Sequence, residues 1–237
     1  MGNDVRSIDL PVAVTLRLQS RSAKVHVIAE PRDDVLAETD KVESFYDDDG
    51  RTLVVRSAKG GSRPLIVRCP VDTDIVIGTQ SGSVKMEGKF GDVHVTTMSG
   101  GIDVGDVEDA DLRSMSGSLT VATARGRCRL NAVSGSITGG HIDTVYANTV
   151  SGSIRIARVE GDIRAKTVSG SIEFAASGDG AIAVKTVSGR VRIALPPDTE
   201  PQTFFKTKGS VRCDFAAGSD CRIEAASLSG SIDVVPA

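Results

Sequence analysis

TVSGSIRI (149–156), TVSGSIEF (167–174) and TVSGRVRI (186–193) are one phrase written three times. Their common Ser-Gly step extends in both directions. It occurs at Ser81-Gly82, Ser99-Gly100, Ser116-Gly117, Ser134-Gly135, Ser151-Gly152, Ser169-Gly170, Ser188-Gly189 and Ser229-Gly230, with Lys208-Gly209 filling the gap before the last. The first seven steps are spaced 17 to 19 residues apart, and the last two intervals are 20 and 21. A fixed period of this length marks a solenoid. The expected fold is an all-β solenoid, like a parallel β-helix, of about nine short coils.

The columns that flank the step support this. Six and four residues before each Ser stand apolar pairs such as Val145 and Ala147, Ile163 and Ala165, and Ile182 and Val184. Three and five residues after it stand Ile154 and Ile156, Ile172 and Phe174, and Val191 and Ile193; Gly139 is the one exception. The intervening residues, among them Tyr146, Arg164, Arg155 and Glu173, are polar. A spacing of two is the period of a strand with one buried face, so each coil should contain two strands that meet at the Ser-Gly corner. Val107, Ala124, Ile142 and Val159 recur on the return segment and predict a third, shorter wall.

One further column, immediately before Ser, holds Met98, Met115, Val133, Val150, Val168, Val187 and Leu228. Its apolar character places it inside, so Val168→Asp should disrupt the stack while Glu173→Lys on the outer face is nearly silent. Gly suits the corner because it reaches φ > 0 without a Cβ clash, and Ser there can bond local backbone. Each coil buries about five apolar side chains at roughly 1.5 to 3 kcal/mol each. Ordering its residues costs a similar amount, so a coil holds only against its neighbours.

Residues 1–74 have strand character without the repeat. Val12, Val14, Leu16 and Leu18 alternate, as do Val25 and Val27, and Asp49-Gly50 between VESFY and RTLVV signals a hairpin. This region is expected to cap or continue the first coil, within one continuous domain whose repeat part spans 75–237. At the other end the last repeat finishes at IDVV with no polar extension. An uncovered coil leaves free backbone edges, which predicts a homo-oligomer through the C-terminal coil.

Composition narrows the function. The chain of 237 residues has 25 Gly, no Trp, 3% aromatics and a net charge of −3. There is no general basic excess of the kind that specific nucleic-acid binders carry. No signal peptide, myristoylation site (Arg6 stands where Ser or Thr is needed) or membrane span is apparent, and a cytoplasmic, bacterial location is expected unless a leader has been removed. Cys69, Cys128, Cys213 and Cys221 make no CxxC pair and His26, His94 and His141 lie far apart, so neither a metal nor a cofactor is expected. Cys213 and Cys221 are close enough to pair, but buried free thiols fit a reducing compartment better.

Several features invite a sharper function. Asp92 and Asp109 share a column with Asp103 nearby, yet no outward column repeats the paired carboxylates that glycoside hydrolysis needs. Thr79, Thr97, Thr149, Thr167 and Thr186 form a single row two before Ser, which reads as corner hydrogen bonding rather than an ice-binding surface. Asp47-Asp48-Asp49-Gly50 lacks the distant Glu of a calcium loop. The lead that remains is charge: the N-terminal segment is acidic, whereas Arg155, Arg158, Arg164, Lys166, Lys185, Arg190 and Arg192 make coils five to seven basic. Arg155, Arg164, Lys166, Lys185 and Arg192 are the candidate polyanion or partner face.

The three TVSG phrases, with LIVRCPVDTDIVIGTQSGSV (65–84) before the first corner, resemble the bacterial putative-adhesin β-strand repeat family, a toast-rack domain family of unknown function. The resemblance covers most of the chain. It implies a β-solenoid, supplies no catalytic residues, and through related domains beside envelope-stress membrane proteins implies a scaffold or sensor role. The expected function is therefore a non-enzymatic interaction or scaffold module with an unidentified protein partner. The alternatives are a carbohydrate-binding or carbohydrate-active solenoid, or a surface adhesin.

Overall fold

In the computed structural model every named element is a strand. The structure describes residues 4–9, 15–39, 42–47, 50–57 and 64–237, and divides into two compact units, Met1–Gly117 and Ser118–Ala237. Among the described residues no helix is long and apolar enough to cross a membrane. In each coil a leading strand runs into the corner and a trailing strand leaves it.

The first unit contains β1 (Asp4–Asp9), β2 (Thr15–Ser20), β3 (Val25–Glu30), β4 (Asp34–Thr39), β5 (Val42–Tyr46), β6 (Thr52–Ser57), β7 (Leu65–Pro70), β8 (Ile75–Thr79), β9 (Val84–Phe90), β10 (Val93–Thr97), β11 (Ile102–Val107) and β12 (Ala110–Ser114). The leading strands β8, β10 and β12 stack in parallel, placing Ile75, Val93 and Ala110 in one inward file and Ile77, Val95 and Leu112 in the next. β9 and β11 do the same behind the corner. The expected cap is itself coiled. β2 and β3 lie directly on β8 and β9, and β6 and β7 lie on the far side of β2 and β3. The chain therefore visits its outermost parallel coil second. Antiparallel strands finish the unit, β4 on β7, β1 on β4 and β5 on β6. The β5–β6 hairpin is the one its Asp-Gly signalled: Gly50 has φ 65° and donates its N–H to the Asp47 carbonyl. Asp48 and Asp49, like Val12 and Val14, lie outside the described residues.

The second unit contains β13 (Leu119–Ala132), β14 (Ile137–Asn148), β15 (Ile154–Val159), β16 (Ile163–Ser169), β17 (Ile172–Ala176), β18 (Ile182–Ser188), β19 (Val191–Leu195), β20 (Gln202–Lys206), β21 (Val211–Cys213), β22 (Arg222–Ser227) and β23 (Ile232–Pro236). Alternating burial runs through nearly all of them, as the period of two requires. The return segment is a wall too, with Ala124, Ile142 and Val159 in register and buried. Gly139, the gap in its column, is filled from that wall: an added Cβ would come within 2.7 Å of Ile142 Cδ1.

The corner corrects two expectations. Met98, Met115, Val133, Val150, Val168, Val187 and Leu228 are not core; each is between 44 and 54% exposed. The row one residue earlier is buried instead: Thr79, Thr97, Ser114, Thr149, Thr167, Thr186 and Ser227. Strand alternation simply continues to the corner, so a Val one place past an inward Thr must point out. Five of these inward hydroxyls are satisfied by the corner itself, whereas Thr186 Oγ1 and Ser227 Oγ are buried without a hydrogen-bond partner among the described residues. Gly100 N–H donates to Thr97 Oγ1 at 3.1 Å and Gly117 N–H to Ser114 Oγ at 2.8 Å, while Thr149 and Thr167 hydroxyls donate to the Gly135 and Gly152 carbonyls one coil back, at 3.1 and 3.2 Å. Val168→Asp is thus a surface change.

Glycine is needed at the corner for closeness more than for handedness. Of the turn glycines only Gly170 and Gly189 have positive φ, at 158° and 152°, close to extended. What they share is a rung so tight that a Cβ on Gly100, Gly152 or Gly189 would lie 2.0 to 2.2 Å from the carbonyl oxygen of the glycine stacked beneath it. Gly82 meets Ala23 O, Gly117 meets Gly100 O and Gly170 meets Gly152 O in the same way.

The C-terminal end is also corrected. β22 pairs with both β18 and β20, and β23 with both β19 and β21. Gly230 therefore stacks on Gly189, and Gly209 stacks on Gly230. The final coil of the chain is inserted below the coil that precedes it in sequence, so IDVV offers no free edge. The open edge belongs to β20 and β21, and the premise for pairing through the C-terminal coil falls.

Candidate functional site

Two outward rows cover the leading wall of the second unit. The first runs Arg129, Tyr146, Arg164, Ala183, Glu224, Phe204, and the second runs Asn131, Asn148, Lys166, Lys185, Ala226, Lys206, each residue in register with the next. They face out because Cys128 and Leu130, Val145 and Ala147, and Ile163 and Ala165 face in. The two rows thus carry five cations, Arg129, Arg164, Lys166, Lys185 and Lys206, and one acid. That acid, Glu224, is held by Arg222 on its own strand. None of the five cations has a carboxylate within ion-pair distance among the described residues. Arg164 lies instead over the Tyr146 ring, 5.9 Å from its centroid, and Arg222 lies over Phe204 at 4.9 Å.

The trailing wall is built differently. Its outward row reads Thr120, Thr138, Arg155, Glu173, Arg192, Asp233, Arg212. Opposite charges sit on neighbouring rungs, with Arg155 Nε 3.5 Å from Glu173 Oε2. Opposite charges directly across a ladder stabilise it, and they leave little net field. Beside this row Arg190, Arg192, Arg212, Asp214 and Asp233 line a shallow cleft of about 470 Å³, where Arg212 is bound to Asp214 at 2.8 Å.

The five residues singled out by sequence therefore do not form one surface. Arg164, Lys166 and Lys185 share the leading wall, where Lys166 and Lys185 are direct neighbours. Arg155 and Arg192 lie on the trailing wall, Arg155 beside Glu173 and Arg192 between Glu173 and Asp233. Sequence reasoning missed Arg129 and Lys206, which complete the leading wall. Arg129 carries a positional signal, the same offset from its corner as Arg164, whereas Lys206 lies one residue nearer its corner than Lys166 does and joins the row only through the pairing of β20 with β22. It also missed the third row of this face, the exposed Val133, Val150, Val168, Val187 and Leu228 along the corner edge. The second unit as a whole holds 14 Lys and Arg against 11 Asp and Glu, a net of +3 within a chain of net −3.

Three other aspartates bond the backbone of a neighbouring coil. Asp74 Oδ1 accepts the Asp92 N–H at 2.9 Å, Asp162 Oδ1 accepts the Ala181 N–H at 2.8 Å and Asp220 Oδ2 accepts the Glu200 N–H at 2.8 Å. A repeated Asp thus ties one coil to the next. Partial burial, and then the charges of Asp74, Asp109 and Glu108, push the Asp92 carboxyl above its ordinary range. Asp103 is on another wall, in register with Lys85. All four cysteines are free; Cys69, Cys128 and Cys221 are buried, whereas Cys213 on β21 is exposed. Burial pushes the Cys69 thiol up to about 12, which keeps it protonated and unreactive. Among the described residues no group of three or more His, Cys, Asp or Glu is placed to hold a metal.

Comparison with known proteins agrees with this architecture. Two solved structures share the fold: a putative adhesin from Bacteroides fragilis (TM-score 0.56, 12% identity, covering 98% of this chain and 97% of that one) and a putative adhesin from Parabacteroides merdae (TM-score 0.59, 12% identity, covering 98% and 95%). No curated protein matches. The family model named Toastrack DUF4097 matches residues 13–234, from before the first coil to the last inward valine, Val234, and on that match the chain belongs to the Toastrack DUF4097 family.

Proposed function

We propose that the protein is a non-enzymatic interaction module, and that the leading wall of its second unit is the surface it binds with. The observation that carries this is five cations on one flat face without acidic partners, beside a trailing wall where charges alternate. Unpaired cations fixed one or two rungs apart, about 4.8 to 9.6 Å, have long-range attraction for anionic partners. Adhesion, the role named for the two solved structures, is a binding role that such a face would serve.

The test is salt-dependent retention on immobilised heparin. The wild type should be retained at low salt and elute as ionic strength rises. Arg164→Glu/Lys166→Glu/Lys185→Glu should abolish retention with an unchanged melting temperature, and Arg155→Glu/Arg192→Glu should weaken it much less. A wild type that passes through unretained would overturn the assignment of this face.

A further inference from the structure

We infer that the partner of this face is the surface of an anionic lipid bilayer, an inference that rests on the binding-face reading above and adds the corner row to it. Val133, Val150, Val168, Val187 and Leu228 occupy successive rungs of the second unit. Their backbones are bonded rung to rung: Ser151 N–H donates to Val133 O, Ser169 N–H to Val150 O and Ser229 N–H to Val187 O, each at 2.9 Å. The side chains therefore recur about every 4.8 Å, and the row is about 19 Å long. It stands on the outer side of a bend, where each leading strand ends and the corner residues Ser151, Ser169, Ser188 and Ser229 are exposed as well. A row on the outside of a bend is a ridge. It cannot receive an amphipathic helix, which requires a groove, but it can enter a medium that yields around it.

Two residues back along the strands, about 6.6 Å away, runs the row with Lys166, Lys185 and Lys206. No acid stands in either row. Lysine stems can lie along apolar surface while their ammonium groups reach for charge. A soluble polyanion would meet the ammonium groups and leave five apolar side chains in water. A bilayer uses both rows: the ridge enters the boundary between headgroups and acyl chains, and the lysines meet anionic headgroups. Neither row alone is a strong anchor; side by side along one edge they supply the two signals that stable peripheral binding requires.

The experiment is co-sedimentation of the full chain with vesicles of phosphatidylcholine alone, and of seven parts phosphatidylcholine to three parts phosphatidylglycerol. The wild type should bind only the anionic vesicles. Lys166→Ala/Lys185→Ala should weaken that binding by about thirtyfold. Val150→Ser/Val168→Ser/Val187→Ser should weaken it at least tenfold while keeping the wild-type melting temperature and heparin retention, since these side chains are already exposed and uncharged. Heparin retention without vesicle binding would overturn the lipid inference and leave the binding face intact; loss of both in the wild type would overturn both. Undiminished vesicle binding by the valine variant would remove the ridge from the account. A wild-type dimer that this variant converts to monomer in light scattering would reassign the ridge to self-association and overturn the inference.

Discussion

Gly152→Ala isolates the force that sets the coil spacing. Gly152 has no positive φ, so alanine meets no backbone penalty of its own. Its Cβ would lie 2.2 Å from Gly135 O, 2.7 Å from Gly135 C and 3.0 Å from Thr149 Oγ1. Carbon and oxygen approach comfortably only to about 3.3 Å, so the rung must open by about 1 Å out of about 4.8 Å. That movement strikes the Thr149 hydroxyl bond to Gly135 O at 3.1 Å and the Thr167 hydroxyl bond to Gly152 O at 3.2 Å. Losing two hydrogen bonds costs about 1 kcal/mol each, and forcing a methyl into a packed site adds about 1 to 3 kcal/mol. The expected loss is therefore about 3 to 5 kcal/mol, or a fall of roughly 10 °C in melting temperature for a chain of this size. Gly78→Ala is the internal control: nothing lies within 4 Å of its added Cβ, and it should be neutral or stabilise by up to about 1 kcal/mol. Thermal melts followed by far-UV circular dichroism measure both. If the two variants melt within about 2 °C of each other, close stacking is not why glycine occupies the corner.

Ala165→Asp, at a fully buried position, should cost more than about 3 kcal/mol because it leaves a charge in the core without a partner; Val168→Asp, three residues on, should change stability by no more than about 1 kcal/mol in a urea titration. Iodoacetamide on the native protein should modify Cys213 alone, and mass spectrometry should find Cys69, Cys128 and Cys221 labelled only after denaturation. Asp92→Asn should raise the melting temperature at neutral pH: a carboxyl whose native pKa is raised destabilises the fold above that pKa, and the penalty disappears as the proton binds on acidification. The advantage of the variant should accordingly shrink as pH falls through the native pKa of Asp92, and an advantage that grows in acid would contradict the electrostatic account.

The coil was legible because its two requirements write directly into sequence. A rung too tight for a Cβ fixes glycine at a constant interval, and an inward face fixes an apolar residue at every second place. The corner edge was misread because residue identity and backbone alternation point in opposite directions there. Val168 is apolar and Thr167 is not, yet alternation from Ile163 and Ala165 carries Thr167 inside, where its hydroxyl finds the Gly152 carbonyl. A polar side chain that brings its own partner can occupy a core position, and the valine is left outside. The charged face was only partly legible for a related reason. Counting charges by coil groups Arg155 with Arg164, though they lie on different walls; grouping them by offset from the glycine separates them and gathers Arg129 as well, while Lys206, one residue nearer its glycine, is gathered only by the register of β20 with β22.

The long intervals near the C-terminus were a signal too. The steps of 20 and 21 residues, against 17 to 19 earlier, occur where the chain passes over one coil position and then returns to fill it. Such a crossing spans two rungs, about 9.6 Å, and needs the additional residues. The first unit makes the same exchange between β2–β3 and β6–β7, which suggests a common purpose. A coil laid down in sequence order would end on its last strand, with IDVV exposed along a full backbone edge. Inserting that strand between β19 and β21 gives its backbone partners on both sides, and leaves on the open edge the polar coil that carries Lys206, Lys208 and Arg212. Charged side chains on an edge strand disfavour pairing with another chain. The exchange thus gives the apolar C-terminal strand to the core and places lysines on the exposed edge, where Lys206 also extends the cationic row of the leading wall.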